Sequence, residues 1–184
     1  MGYVKKIGDI WSRHFLIDLV MNKKMNKCIE LYHRSGVLQP INKLRAYILS
    51  NKIVKKCGSS ISPRIKVGKN LKFVHCTGIV LGKTTEIGDN CKVFCNVATI
   101  AKIEGDDCSS DVRRHPKIGN DCTLGHACTL VGNITIGDDC FIGACAIVTR
   151  DVPAHSVVIG TNKVRPKRLD EIGKPYLKEF EESK

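Results

Sequence analysis

Six histidines and ten cysteines are the side chains of this 184-residue sequence best suited to proton transfer or nucleophilic attack. Two histidines stand apart by their surroundings. His75 lies in the stretch FVHCTGIVLG, and His115 closes a charged stretch in RRHPKIG, directly after Arg114. An imidazole, with a pKa of about 6.5, can take a proton at neutral pH from a hydroxyl attacking a carbonyl. A guanidinium such as that of Arg114 suits a carboxylate or another anionic group. A single histidine is more often an exposed or core-satisfied ring than a catalyst, so the case rests on where the fold puts these two.

The cysteines argue for packing. They form no CxxC pair and no zinc-type spacing. Phe15 to Met21 is interrupted by Asp18 and lacks a cleavage site, so no signal peptide is expected. Ten cysteines without export imply free thiols in a reducing cytosol, hence a cytoplasmic protein. Nothing flanking Cys76, Cys95, Cys108 or Cys145 marks a nucleophile.

What must position the histidines is an internal period of six residues. From Ile118 the chain reads IGNDCT, LGHACT, LVGNIT, IGDDCF, IGACAI, VTRDVP, so that Ile118, Leu124, Leu130, Ile136, Ile142 and Val148 recur without a break. Leu81, Ile87, Val93 and Thr99 form a second run; Ile61, Val67, Phe73 and Ile79 form a third, in a frame two residues off. Six residues make one short strand and a turn, and three such units close a triangular coil of about eighteen residues. The aliphatic residue points inward. The fifth position of each hexad must also point inward and be small, and Cys91, Cys122, Cys128 and Cys140 occupy it. His75 falls inside the frame shift, and His115 at the end of the segment that interrupts the period.

That segment, residues 100–117, is charged and poor in core residues, so it is expected to leave the coil as an exposed loop. Residues 1–58 lack the period. Phe15, Leu16, Leu19, Ile29 and Leu31 predict a helix within Ser12 to Arg34, and Ile41, Leu44 and Ile48 a second one, with Gly36 to Pro40 as the break. The expected organisation is a helical region (1–58), a β-helix domain (59–165) and a polar C-terminal tail (166–184), a short helix or frayed end. The net charge of +12 gathers on both sides of the repeat, before it in Lys23, Lys24, Lys27 and their neighbours, and after it in Lys163, Arg165, Lys167 and Arg168. The helical cluster reads as a solvated face. No groove-reading or RNA-binding signature accompanies the charge, and no segment approaches the roughly 18 apolar residues of a membrane span, so neither nucleic acid nor a membrane span is expected.

Three stretches together, HCTGIVLGKTTEIGDN, RRHPKIGNDCTLGHACTLVGN and IGDDCFIGACAIVTRDVP, resemble the serine acetyltransferase branch of the hexapeptide-repeat acyltransferases over residues 60–165. The resemblance implies a left-handed parallel β-helix, a homotrimer with active sites between subunits, acetyl-CoA as co-substrate and no metal. By it His75 matches the catalytic base, His115 the second active-site histidine, and Arg114 the arginine that meets a substrate carboxylate. Coenzyme A is placed along a groove lined by Ala144 and Ala127, with Lys163, Arg165 and Lys167 as partners for its phosphates.

The departures concern the acceptor. Val74 stands where the family has an acidic residue that helps bind the serine amino group, and Ser60 where it has the carboxylate that orients the base. The loop, with Glu104, Asp106, Asp107 and Asp111, lacks the family's glycine-rich motif, and the helical region is short. These changes lean the expected acceptor toward a saccharide of a surface-polysaccharide pathway, as in the short relatives. L-serine is the alternative. A β-helical metal-dependent lyase using His75, His115 and His126, or a non-enzymatic scaffold, is the remote one.

Overall fold

The computed structural model describes residues 20–102, 112–167, 170 and 172. Residues 20–33 are helical (α1) and Gln39–Cys57 form α2. Met21, Met25, Cys28, Ile29 and Leu31 are the buried side of α1, as the spacing of the last two predicts; Phe15, Leu16 and Leu19 lie outside the described residues. The second helix corrects the sequence reading twice. Pro40 lies inside its first turn, where its missing N–H costs nothing, so the break ends at Leu38. Ile41, Leu44 and Ile48 are all exposed, and the helix instead buries Asn42, Ala46 and Ile53. Close approach of the two helices explains the choice: the Cys28 thiol donates to the Ala46 carbonyl at 3.1 Å, a contact that needs a small residue there. Gly58, in the left-handed region at φ +65°, ends α2 by donating its N–H to the Val54 carbonyl.

Beyond Gly58 the chain winds as a parallel β-helix, consistent with the left-handed form, with three strand columns. The first sheet stacks β1 (Ser60–Ile61), β4 (Val80–Leu81), β7 (Ala98–Ile100), β10 (Thr129–Val131) and β13 (Ile147–Val148). The second stacks β2 (Lys66–Val67), β5 (Glu86–Ile87), β8 (Lys117–Ile118) and β11 (Thr135–Ile136). The third stacks β3 (Lys72–Val74), β6 (Lys92–Phe94), β9 (Thr123–Leu124), β12 (Phe141–Ile142) and β14 (Ser156–Ile159), against which β15 (Lys163–Pro166) folds back antiparallel. A coil therefore has three corners, between first and second, second and third, and third and first sheets.

The inward aliphatic columns follow the hexads. Leu81, Leu130 and Val148 stack with Thr99, and Ile87 with Ile118 and Ile136. The fifth-position cysteines are buried as expected. Their thiols run along the stack, Cys91 donating to Gly119 O and Cys122 to Gly137 O, both at 3.1 Å. Burial pushes the Cys128 thiol up to about 12, so it stays protonated and inert.

The frame shift is a longer first coil. Ile61 pairs with Leu81 and Phe73 with Val93, a spacing of 20, whereas regular coils such as that from Asn120 to Asp138 span 18. Ile79 consequently does not continue the six-residue run of Ile61, Val67 and Phe73; it lies fully buried two residues before Leu81, in register with Val97 of the next coil. The extra residues sit in the turn after β3, where both His75 (φ +53°) and Gly78 (φ +67°) are left-handed. Both ends of the charged segment belong to the coil: Ile100 ends β7 and Lys117 begins β8. Residues 103–111, and most of the C-terminal tail, lie outside the described residues. Among those described, no helix is long and apolar enough to cross a membrane.

Candidate active site

The corner between the first and second sheets holds His115. The chain returns here from the charged segment, and Arg113 anchors it by donating from Nη1 to the Ile134 carbonyl at 3.2 Å. Thr84, one coil earlier, accepts the backbone N–H of Arg114 (3.0 Å) and of His115 (3.2 Å) on its Oγ1. The same oxygen lies 2.7 Å from His115 Nδ1. Having accepted two N–H groups, the hydroxyl has its own proton left to give, and it donates to Nδ1. His115 is thereby fixed as the neutral tautomer with its proton on Nε2. The ring lies against Gly82, where any Cβ would run into the imidazole. Burial first, then the charges of Arg114 and Lys83, hold His115 below the ordinary histidine range. Beside Thr84 is a cleft of about 300 Å³ lined by Arg64, Lys66, Lys83 and Arg113 with one acid, Glu86, so the corner favours an anionic group.

The corner between the third and first sheets holds His75, exposed on the inserted turn. Ser59 shapes that turn from below: its buried hydroxyl donates to Cys76 O at 2.9 Å and accepts Ile79 N–H at 3.0 Å. Ser60, the position matched to an orienting carboxylate, is an exposed residue of β1. Val74 is half-buried at the end of β3.

The residues that the resemblance matches to coenzyme A divide. Ala127 (φ +56°, half-buried) and Ala144 (exposed) lie on the same corner as His75, in higher coils. Lys163 begins β15 paired with Ile159, near the same edge, and Arg165 follows on that strand opposite Val157. Lys167 does not belong with them. It lies at the corner between the second and third sheets, its side chain 3% exposed, with its ammonium on the Asp139 carboxylate. A cavity of about 960 Å³ opens there, yet the Asn70, Asn90, Asp121 and Asp139 that line it are turn residues of the ladder, remote from both histidines.

Within one chain, then, His75 and His115 stand at different corners and are not brought together. His126 shares the corner of His75, not that of His115. Among the described residues no three His, Cys, Asp or Glu side chains gather as a metal centre. Sequence reasoning missed Thr84, Gly82 and Ser59. Gly82 looked like any turn glycine of a hexad, and a threonine in LGKTTE carried no signal at all.

Residues 115–150 match the family model described as bacterial transferase hexapeptide (six repeats). Serine acetyltransferase 2 of Arabidopsis thaliana is 38% identical over 120 residues, covering 64% of this chain and 35% of that protein. The structure of soybean serine acetyltransferase complexed with serine superposes with a TM-score of 0.64 at 30% identity, over 79% of this chain and 55% of that one. Serine acetyltransferase from Brucella abortus strain S19 in complex with coenzyme A gives 0.62 at 25% identity, over 78% and 56%. The chain thus spans between a third and somewhat over half of the length of these relatives.

Proposed function

We propose that this chain, built on the transferase hexapeptide repeat and related to the serine acetyltransferases, moves an acetyl group from acetyl-CoA to an acceptor hydroxyl. The observation that carries the reading is the Thr84–His115 pair over Gly82, which holds an uncharged Nε2–H donor at a cationic corner. His75 serves as the base that takes the acceptor's proton while its oxygen attacks the thioester carbonyl. Arg114 meets an anionic group of the acceptor. Coenzyme A lies along the edge of Ala127 and Ala144, where side chains end at Cβ and leave the coil backbone open to it, with Lys163 and Arg165 toward its phosphates. Lys167, committed to Asp139, is left out of that set.

The separation of the two histidines supports a site shared between chains, hence a homotrimer in which each interface takes His75 from one subunit and His115 from the next. The nine described cysteines are thiols and not disulfides, which suits a reducing, cytoplasmic setting. The acceptor that the relatives support is L-serine; none of these comparisons supports the saccharide toward which the sequence leaned. One observation favours a different hydroxyl as a second reading: Val74 offers no charge to an ammonium group beside His75.

The test is thiol release from acetyl-CoA with L-serine and, in parallel, with sugars. Turnover is expected to fall by about 100-fold or more in His75→Ala. A variant that keeps the parental rate would remove His75 from the mechanism, and a wild type inert with every hydroxyl would remove the reading.

A further inference from the structure

The outward side of α2 is apolar where a helix packed on its own chain should be polar. At about 100° per residue, Ile41, Leu44 and Ile48 line up on the side opposite the buried Asn42, Ala46 and Ile53. The three are 54%, 61% and 47% exposed, and Leu38 and Tyr47, also exposed, flank them. Single apolar side chains on a surface are ordinary, but a contiguous row marks a contact. Toward the C-terminal end of the helix the same line continues as Lys52 and Lys55, both exposed, with exposed Arg45 beside it. Charge says what the contact is. Between Val20 and Cys57 the chain carries nine Lys and Arg residues and one acid, Glu30, which pairs with Lys27 at 3.2 Å. A second copy of this chain would bring the same cations to the same row, so self-association through α2 is opposed by repulsion. A nucleic acid would meet the cations but offers nothing to a row of aliphatic side chains.

We propose that α2 is an interfacial helix that docks the protein on an anionic lipid bilayer through Ile41, Leu44 and Ile48, held there by Arg45, Lys52 and Lys55. Such a surface satisfies both halves of the pattern. Its headgroup charge meets the Lys and Arg side chains, and the acyl boundary beneath takes the aliphatic ones. The row occupies one side of the helix only, which suits a helix lying in the plane of the surface. The opposite side is committed to the chain itself, and Ser50 Oγ fixes α2 to the first coil by donating to Ile61 O at 3.0 Å. Docking therefore holds the start of the β-helix at the surface. It does not depend on the acetyl-transfer chemistry, and the two are tested separately.

The experiment pellets the full chain with vesicles of phosphatidylcholine, alone or with roughly a third phosphatidylglycerol, at an ionic strength of about 0.15 M. Binding to the mixed vesicles is expected, about 10-fold or more tighter than to phosphatidylcholine. The triple variant Ile41→Ser, Leu44→Ser, Ile48→Ser changes only exposed side chains. Its circular dichroism and thermal unfolding should stay native while vesicle affinity falls by about 10-fold or more. The pair Lys52→Gln, Lys55→Gln should weaken binding by about 10-fold. The pair Lys117→Gln, Arg150→Gln makes the same charge change in higher coils and should leave affinity within about twofold. A wild type that does not pellet with the mixed vesicles overturns the proposal. So does a triple variant that binds as tightly as wild type, or an equal loss in the two charge variants, since either reduces the attraction to net charge. Sedimentation velocity without lipid addresses the other occupant: if the triple variant has fewer chains per particle than wild type, the row is an interface between copies and the proposal fails.

Discussion

Thr84 makes three hydrogen bonds through one oxygen, and the state of His115 depends on them. Thr84→Val keeps the shape but strips two backbone N–H groups and an imidazole nitrogen of their partner. At this half-buried site a loss of about 1 kcal/mol is expected, with a larger fractional loss of kcat because the tautomer is no longer fixed. Thr84→Ser retains the oxygen and is expected to recover most of both. Urea midpoints beside kcat test this; equal loss in the two variants would put the effect in the methyl group instead. The pH behaviour of His115 follows from its burial and its cations. The folded chain holds it less protonated than an unfolded chain does, so the unfolded state binds more protons and stability falls as pH drops from about 6.5 through the lowered folded value. Lys83→Met removes one repelling charge, and the His115 midpoint in an NMR titration should move up toward the ordinary histidine range. A midpoint that stays or drops contradicts the assigned cause. His75 and His115 were legible in the sequence because they stand where the period breaks. Thr84 was not, because its role exists only once the chain comes back over it 31 residues later.

At the scale of strands and helices, the hexad marks which residues face inward, and the structure adds how they stack. Cys122 sits between Cys91 and Cys140 in one column, each thiol donating a hydrogen bond to a carbonyl of the next coil. Only a small side chain fits between two neighbours a coil's thickness away. Leu71 is accommodated in the first coil of that column because only one coil packs on it from above. Cys122→Leu is therefore expected to destabilise by about 1–3 kcal/mol through overpacking. Cys122→Ala should cost about 1 kcal/mol for the lost sulfur volume and its hydrogen bond. Thermal unfolding of both distinguishes a packing column from a thiol needed for chemistry, since neither change should alter the activity of the folded protein. The two-residue slip was readable because periodicity exposes any insertion. The face of α2 was not: its apolar residues obey helical spacing, yet contact with α1 selects Ala46, and no single helix reveals its neighbour's surface.

For the whole molecule, the decisive fact is that the two histidines occupy different corners of one triangular prism. A rigid β-helix cannot fold one corner onto another. A reaction using both His75 and His115 must therefore take them from two copies, which in the proposed homotrimer means one of each at every interface. This makes the assembly testable through function and not only through mass. His75→Ala trimers lack the base at every interface, and His115→Ala trimers lack the Nε2–H donor at every interface, so each alone should be nearly inactive. When the two variants are co-expressed and assemble at random in equal amounts, one interface in about four pairs an intact His75 with an intact His115. The mixture should then recover about a quarter of wild-type turnover, and sedimentation should give one species of three chains. Mixing the variants after separate assembly should recover nothing until subunits exchange. If both histidines acted within one chain, mixed trimers would be as inactive as their parents, and the shared site would be ruled out even if the protein were trimeric.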